Sequence, residues 1–142
     1  MNEYTFQEIS IGHTESFSLT VTQTMEDQFR EITGDINPLH SDDRFAAEIS
    51  SGKYESHVTF GMLTASLCST LAGVYLPGKY SLIHSIENMS FRKPVFAGDT
   101  LTVTGVVTDK QDDLHLLRIA VEITNQHVKT VFRANMKVLV QK

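Results

Sequence analysis

The stretch VTFGMLTASLCSTLAGVYL, residues 58–76, decides the fold. It contains no Asp, Glu, Lys or Arg, and the uncharged run extends from Ser56 to Gly78. Gly61, Ala65, Cys68 and Ala72 recur at spacings of three and four, which makes one narrow edge of small residues. Met62, Leu63, Leu67, Leu71 and Val74 supply the bulk. A helix of this kind is buried on nearly every side. A membrane span is the competing reading, because the run approaches span length. Ser56, His57, Thr59, Thr64, Ser66, Ser69 and Thr70 inside it, and a mean hydropathy of -0.12 for the chain, argue for a buried helix instead.

The flanks say what buries it. Residues 15–22, ESFSLTVT, alternate Phe17, Leu19 and Val21 with polar neighbours, the pattern of a half-buried strand. After Pro77-Gly78 come segments near 82–92, 99–109, 114–124 and 128–140, rich in Val, Ile, Thr, Leu and Phe. Short polar breaks separate them, at spacings that suit an antiparallel meander. One early strand, then helices, then four strands is an α+β order. The uncharged helix belongs against the concave face of a five-stranded sheet.

Between the first strand and that helix, TMEDQFREITG predicts a helix with Thr24 as N-cap and Gly34 as its stop. Met25, Phe29 and Ile32 form its apolar face. Asn37-Pro38 predicts a second helix, with Asn as cap and Pro at the first position, running through PLHSDDRFAAEI. Asp35 then sits just before the cap and His40 in the first helical turn, where the dipole opposes a positive charge on the imidazole. A carboxylate and an imidazole held five positions apart can handle a proton together, or can simply tie a loop down.

Composition narrows the function classes. The 142 residues suit a single domain spanning 1–142. A net charge of -5, with twelve dispersed Lys and Arg, argues against nucleic acid as partner. One cysteine, Cys68, leaves no disulfide framework and no Cys-based zinc site. His40, Asp42, Asp43 and His57 show no metal-ligand spacing, so no metal is expected. The first residues, MNEYTFQEISIG, lack a basic region followed by an apolar run, which gives a cytoplasmic expectation with no membrane association.

The run Gly34-Asp35-Ile36-Asn37-Pro38-Leu39-His40, followed by Asp42 and Phe45-Ala46-Ala47, resembles the MaoC-like dehydratases, the (R)-specific enoyl-CoA hydratase group. GMLTASLCSTLAG (61–73) is similar to the start and body of that family's central helix. FRKPVFAGDTL (91–101) is similar to its hairpin between two sheet strands. The resemblance covers about residues 4–140 and implies a hot-dog fold, in which a five-stranded antiparallel sheet wraps a long central helix. It implies reversible syn addition of water to a trans-2-enoyl thioester, giving an (R)-3-hydroxyacyl product, with CoA or an acyl carrier protein as the substrate's handle. No metal or redox cofactor is implied, and a homodimer is.

The resemblance makes Asp35 and His40 the catalytic pair and the backbone N–H of Gly61 the donor to the thioester oxygen. Ser69 matches a serine that helps place the pair, and is also a small residue suited to packing. Asn37 joins the substrate-binding set, and Phe60 and Met62 are core or acyl-pocket lining rather than a cofactor site. Two departures bear on the substrate. Phe60 stands where family members commonly have His, and the 50–59 segment is longer and lacks a common Arg-Pro. A thioesterase on the same fold, or a module that binds acyl thioesters without turnover, are the rival functions.

Overall fold

The computed structural model describes residues 1–142. Strand β1 spans Thr14–Thr20, helix α1 Gln23–Thr33, helix α2 Asp43–Ile49 and helix α3 Gly61–Thr70. Four strands follow: β2 Ser81–Phe91, β3 Thr100–Gln111, β4 Leu116–Thr124 and β5 Thr130–Val140. All pairings are antiparallel, in the order β1-β3-β4-β5-β2. The five strands and the buried helix form the hot-dog arrangement of the α+β class.

Strand alternation puts Leu101, Val103, Gly105 and Val107 of β3 inward, with Ile119, Val121 and Ile123 of β4 beside them. Ala134, Met136 and Val138 of β5 continue the layer, and Leu63, Leu67, Cys68, Leu71 and Ala72 pack into the same core. On the outer face, Ser16, Ser18 and Thr20 pair their hydroxyls with Thr104, Thr102 and Thr100 at 2.8–3.1 Å. That pins the register of an edge strand with polar contacts. No helix is long and apolar enough to cross a membrane.

Several expectations are corrected. Only β3, β4 and β5 form a meander; β2 lies at the far edge beside β5. Residues 92–99 are therefore a crossover from β2 to β3, not a hairpin. The long helix changes character after Thr70, with a π-helical segment over Leu71–Tyr75. One of its faces is also uncovered, since Met62, Ser66 and Ser69 are exposed. The cap of α1 is Thr22, whose Oγ1 accepts from the Met25 N–H at 3.2 Å. Ile32 points to solvent at 81% exposure, and Glu26 takes an inward place instead.

Gly105 sets how near helix and sheet can come. A Cβ built there would lie 2.7 Å from a Leu71 methyl and 3.1 Å from an Ile119 methyl. Leu71 and Ile119 are both fully buried, so neither methyl has room to retreat. Gly105→Ala is expected to destabilise the fold by about 1–3 kcal/mol through overpacking. Equilibrium urea unfolding checks this; an unchanged midpoint would show that the layer can relax.

Candidate active site

Gly34 ends α1 in the left-handed conformation (φ 72°), donating its N–H to the Arg30 carbonyl at 2.8 Å. The chain turns there toward Asp35, whose N–H donates to Thr33 Oγ1 at 3.2 Å. Asp35 Oδ1 accepts the Asn37 N–H at 3.0 Å, and Asn37 Oδ1 accepts the Leu39 N–H at 3.0 Å. Two successive Asx turns thus fix the carboxylate from the backbone. It is otherwise exposed.

The predicted second helix is broken in two. Asn37 caps a 3₁₀ turn, Pro38–His40, and Asp42 then caps α2, accepting the N–H groups of Arg44 and Phe45 at 2.9 and 3.1 Å. Asp42 is the stronger cap signal, because it serves two orphan N–H groups at once. His40 therefore closes a short turn, and the α-helix dipole argument does not apply to it.

His40 is half-buried, and its Nδ1 lies 2.7 Å from the Val58 carbonyl oxygen. A carbonyl can only accept, so Nδ1 carries the proton and Nε2 is the nitrogen that can exchange one. The Phe60 ring covers one face of the imidazole at 4.2 Å and meets Phe29 at 5.2 Å. Phe60 itself is buried and serves as the residue before α3, with no side chain capping the helix start. The N–H of Gly61 is thus an open donor at the positive end of α3.

Asp35, His40, Phe60, Gly61 and Met62 line one cavity of about 370 Å³, together with Phe29, Thr33 and Phe91. A second cavity of about 320 Å³ shares His40, Gly61 and Phe91 with it. Tyr54, Thr64, Arg92 and Lys93 line its other side. Of the expected site residues, Asn37 stays outside both cavities and acts through its cap. Ser69 also lies outside them, on the uncovered face of α3. His40, Asp42, Asp43 and His57 do not converge as a ligand set. Burial pushes the Cys68 thiol up to about 11, which leaves it protonated and unreactive.

One cluster beside the site was not visible in the sequence. Glu26 of α1 is 1% exposed; its Oε1 accepts from Thr59 Oγ1 and its Oε2 lies 2.9 Å from His57 Nε2. His57 Nδ1 lies 2.7 Å from Asp43 Oδ1, which also accepts the His57 backbone N–H at 2.8 Å. Gln23 Oε1 is 3.1 Å from Nε2. The only trace in the sequence was an acid, Glu26, in the apolar face of α1.

A five-stranded antiparallel sheet around a buried helix, with an Asp and a His lining one cavity beside that helix's open start, defines the class. Residues 7–131 match the family described as MaoC like domain, and the chain belongs to it. It is 40% identical over 98 residues to the (R)-specific enoyl-CoA hydratase of Aeromonas caviae, covering 69% of this chain and 70% of that protein. It is 32% identical over 115 residues to the 3-hydroxybutyryl-CoA dehydratase of Methylorubrum extorquens, covering 81% and 71%. The solved structure of an (R)-hydratase from A. caviae involved in PHA biosynthesis superposes with a TM-score of 0.86. Identity there is 31%, over 94% of this chain and 98% of that one.

The cluster has a pH consequence. Partial burial pulls the pKa of His57 down, but hydrogen bonds and charge from Asp43 and Glu26 outweigh it and hold it above the ordinary histidine value. A raised folded value means the stabilisation is complete below the unfolded value, about 6.5. It is lost as pH rises through the folded value. The stability difference between wild type and His57→Gln is therefore expected to shrink from pH 6 toward pH 9. Urea midpoints at each pH measure it, and a constant difference would refute it.

Proposed function

We propose that the protein is an acyl-thioester hydratase/dehydratase, adding water reversibly to a trans-2-enoyl thioester to give the (R)-3-hydroxyacyl product. Both curated relatives described above act on CoA thioesters by their names. The observation that supports Asp35 and His40 as the catalytic pair is their presence with Gly61 around one 370 Å³ cavity. With Nδ1–H engaged on Val58, His40 works through Nε2.

In this reading a water sits between the Asp35 carboxylate and His40 Nε2. It gives up a proton to the pair as its oxygen attacks the β-carbon. The pair returns a proton to the α-carbon on the same face, which is syn addition. One water's oxygen and two hydrogens end on the product, and the pair finishes in its starting state. Negative charge builds on the thioester oxygen, where the open Gly61 N–H and the end of the helix dipole stabilise it. Arg92 and Lys93, on the second cavity, fit the phosphates of a CoA or carrier-protein handle.

A homodimer belongs to the same proposal. Strand β2 is a sheet edge, with Leu82 and Phe91 both more than half exposed. Joining two β2 edges would also bring the uncovered face of α3, with Met62 and Ser69, toward the partner. Light scattering is expected to give twice 15.9 kDa, and Leu82→Glu to shift the protein toward the single-chain mass. A single-chain mass for wild type would refute this. The lone buried thiol of Cys68 accords with a cytoplasmic setting.

Crotonyl-CoA, followed by loss of its conjugated absorbance, tests the reaction. Asp35→Asn and His40→Gln are each expected to lower kcat by about 10²–10⁴-fold. Both should keep the wild-type melting temperature within a few degrees, because neither side chain is buried in the core. A wild-type rate in either variant removes that residue from the mechanism. Release of free CoA from saturated acyl-CoA, with no hydration, would replace the hydratase by a thioesterase.

A further inference from the structure

Val58 is held from both sides by the polar cluster around His57. Its carbonyl orients the His40 ring through the 2.7 Å bond to Nδ1. Its neighbours His57 and Thr59 both bond the same carboxylate, Glu26 of α1. Asp43, three residues beyond His40, grips His57 twice, through Nδ1 and the backbone N–H. The Val58 N–H donates back to the Leu39 carbonyl at 2.9 Å, next to His40. The groups that face His57 are therefore Glu26 and Gln23 from α1 and Asp43 from α2.

The protonation state follows from the donors. A neutral imidazole has one N–H, so it can satisfy only one of two carboxylates. Its other nitrogen would then meet a carboxylate oxygen lone pair to lone pair, at 2.7 or 2.9 Å. With both acids ionised, the geometry needs both ring nitrogens protonated. Stability alone is a poor reason for such a cluster, because well-packed apolar side chains in place of the whole cluster would serve as well or better. What the charges add is direction.

We propose that Glu26, His57 and Asp43 are positioning residues for His40: an imidazolium clamped between two carboxylates fixes the Val58 carbonyl, so efficient turnover requires His57 to be protonated. This rests on the hydratase reading for its activity readout. The clamp predicts an alkaline limit on kcat that belongs to a residue outside the cavity. Glu26→Gln can keep the same hydrogen bonds with a neutral His57: its carbonyl accepts from Thr59 and its amide donates to Nε2.

The test measures kcat and KM for crotonyl-CoA from pH 6 to 10, alongside NMR titration of the His57 and His40 Cε1–H signals. In wild type the alkaline fall in kcat is expected to coincide with the His57 titration, with KM changing less than twofold. In Glu26→Gln the His57 titration should move down by about 1–3 pH units, and the alkaline fall in kcat tied to it should disappear, because the clamp is then complete with neutral His57. Asp43→Asn, at an exposed position, leaves the Glu26 carboxylate in place, so it should move the His57 titration and the kcat limit down together, and it guards against a Glu26 variant that fails to fold. A His57 titration that moves while the kcat limit stays put overturns the proposal. Wild type inactive on enoyl-CoA would sink the hydratase reading alone. The His40 signal then decides the clamp: a shift that follows His57 upholds it, and indifference overturns it.

Discussion

The inner face of a ten-residue helix without a single charge, Gly61–Thr70, has to be kept from water, and the structure is organised around that constraint. The sheet supplies three inward rows of branched and sulfur-containing side chains, and Gly105 lowers the floor so that Leu71 can settle into it. The hydrophobic gain from burying such side chains, about 1.5–3 kcal/mol each, is what orders the chain on both sides of the helix. The same constraint explains why the helix start is bare. Phe60 precedes it where a polar cap would ordinarily sit, so its apolar ring stays in the core and leaves the first N–H groups open.

An open helix start becomes a site only when other groups are brought to it, and the loop from Gly34 to Asp42 does so with local hydrogen bonds. The Asx turns at Asp35 and Asn37 and the cap at Asp42 are short-range devices that need no core. The long-range ties run to Val58: its N–H meets the Leu39 carbonyl, and its carbonyl meets His40 Nδ1 in a bond that spans eighteen residues. That bond fixes the tautomer of the imidazole as well as its position. Site geometry and helix burial are thus joined through four consecutive residues, His57 to Phe60. There the polar cluster meets the aromatic wall.

The elements whose period is set by burial were legible in the sequence. Alternation in β1 and β3 and the uncharged run of α3 each report one face or one core, and their positions agree with the strands and helix observed to within a few residues. Sheet order was not legible: β2 and β3 are neighbours in sequence, and nothing in an alternating pattern says which edges pair. The break at Ser41 was hidden because two good caps, Asn37 and Asp42, stand five residues apart and either alone would serve. Glu26 and His57 are 31 positions apart, and an ion pair at that separation leaves no period to read. Asp35, His40 and Gly61 were named from a motif, and the motif carried no information on Thr64, Tyr54 or the second cavity.

The two cavities give the site a direction. They meet at His40, Gly61 and Phe91, so a ligand occupying both must cross the helix start at its middle. On one side the wall is Phe29, Phe60 and Met62, which accepts an apolar chain. On the other, Arg92 and Lys93 stand beside Tyr54 and Thr64, which accepts a polar, anionic handle. Under the proposed function, a molecule with an apolar end, a reactive carbonyl and a phosphate-bearing end has a preferred orientation, with its carbonyl near Gly61, which both cavities share. Thr64 adds a detail: its hydroxyl is buried without a protein partner, at the boundary of the handle side. A polar atom close to the carbonyl could satisfy it, whereas a purely hydrocarbon segment could not. Under the proposed function, the site's asymmetry favours the acyl chain against the aromatic wall and the handle against the cations.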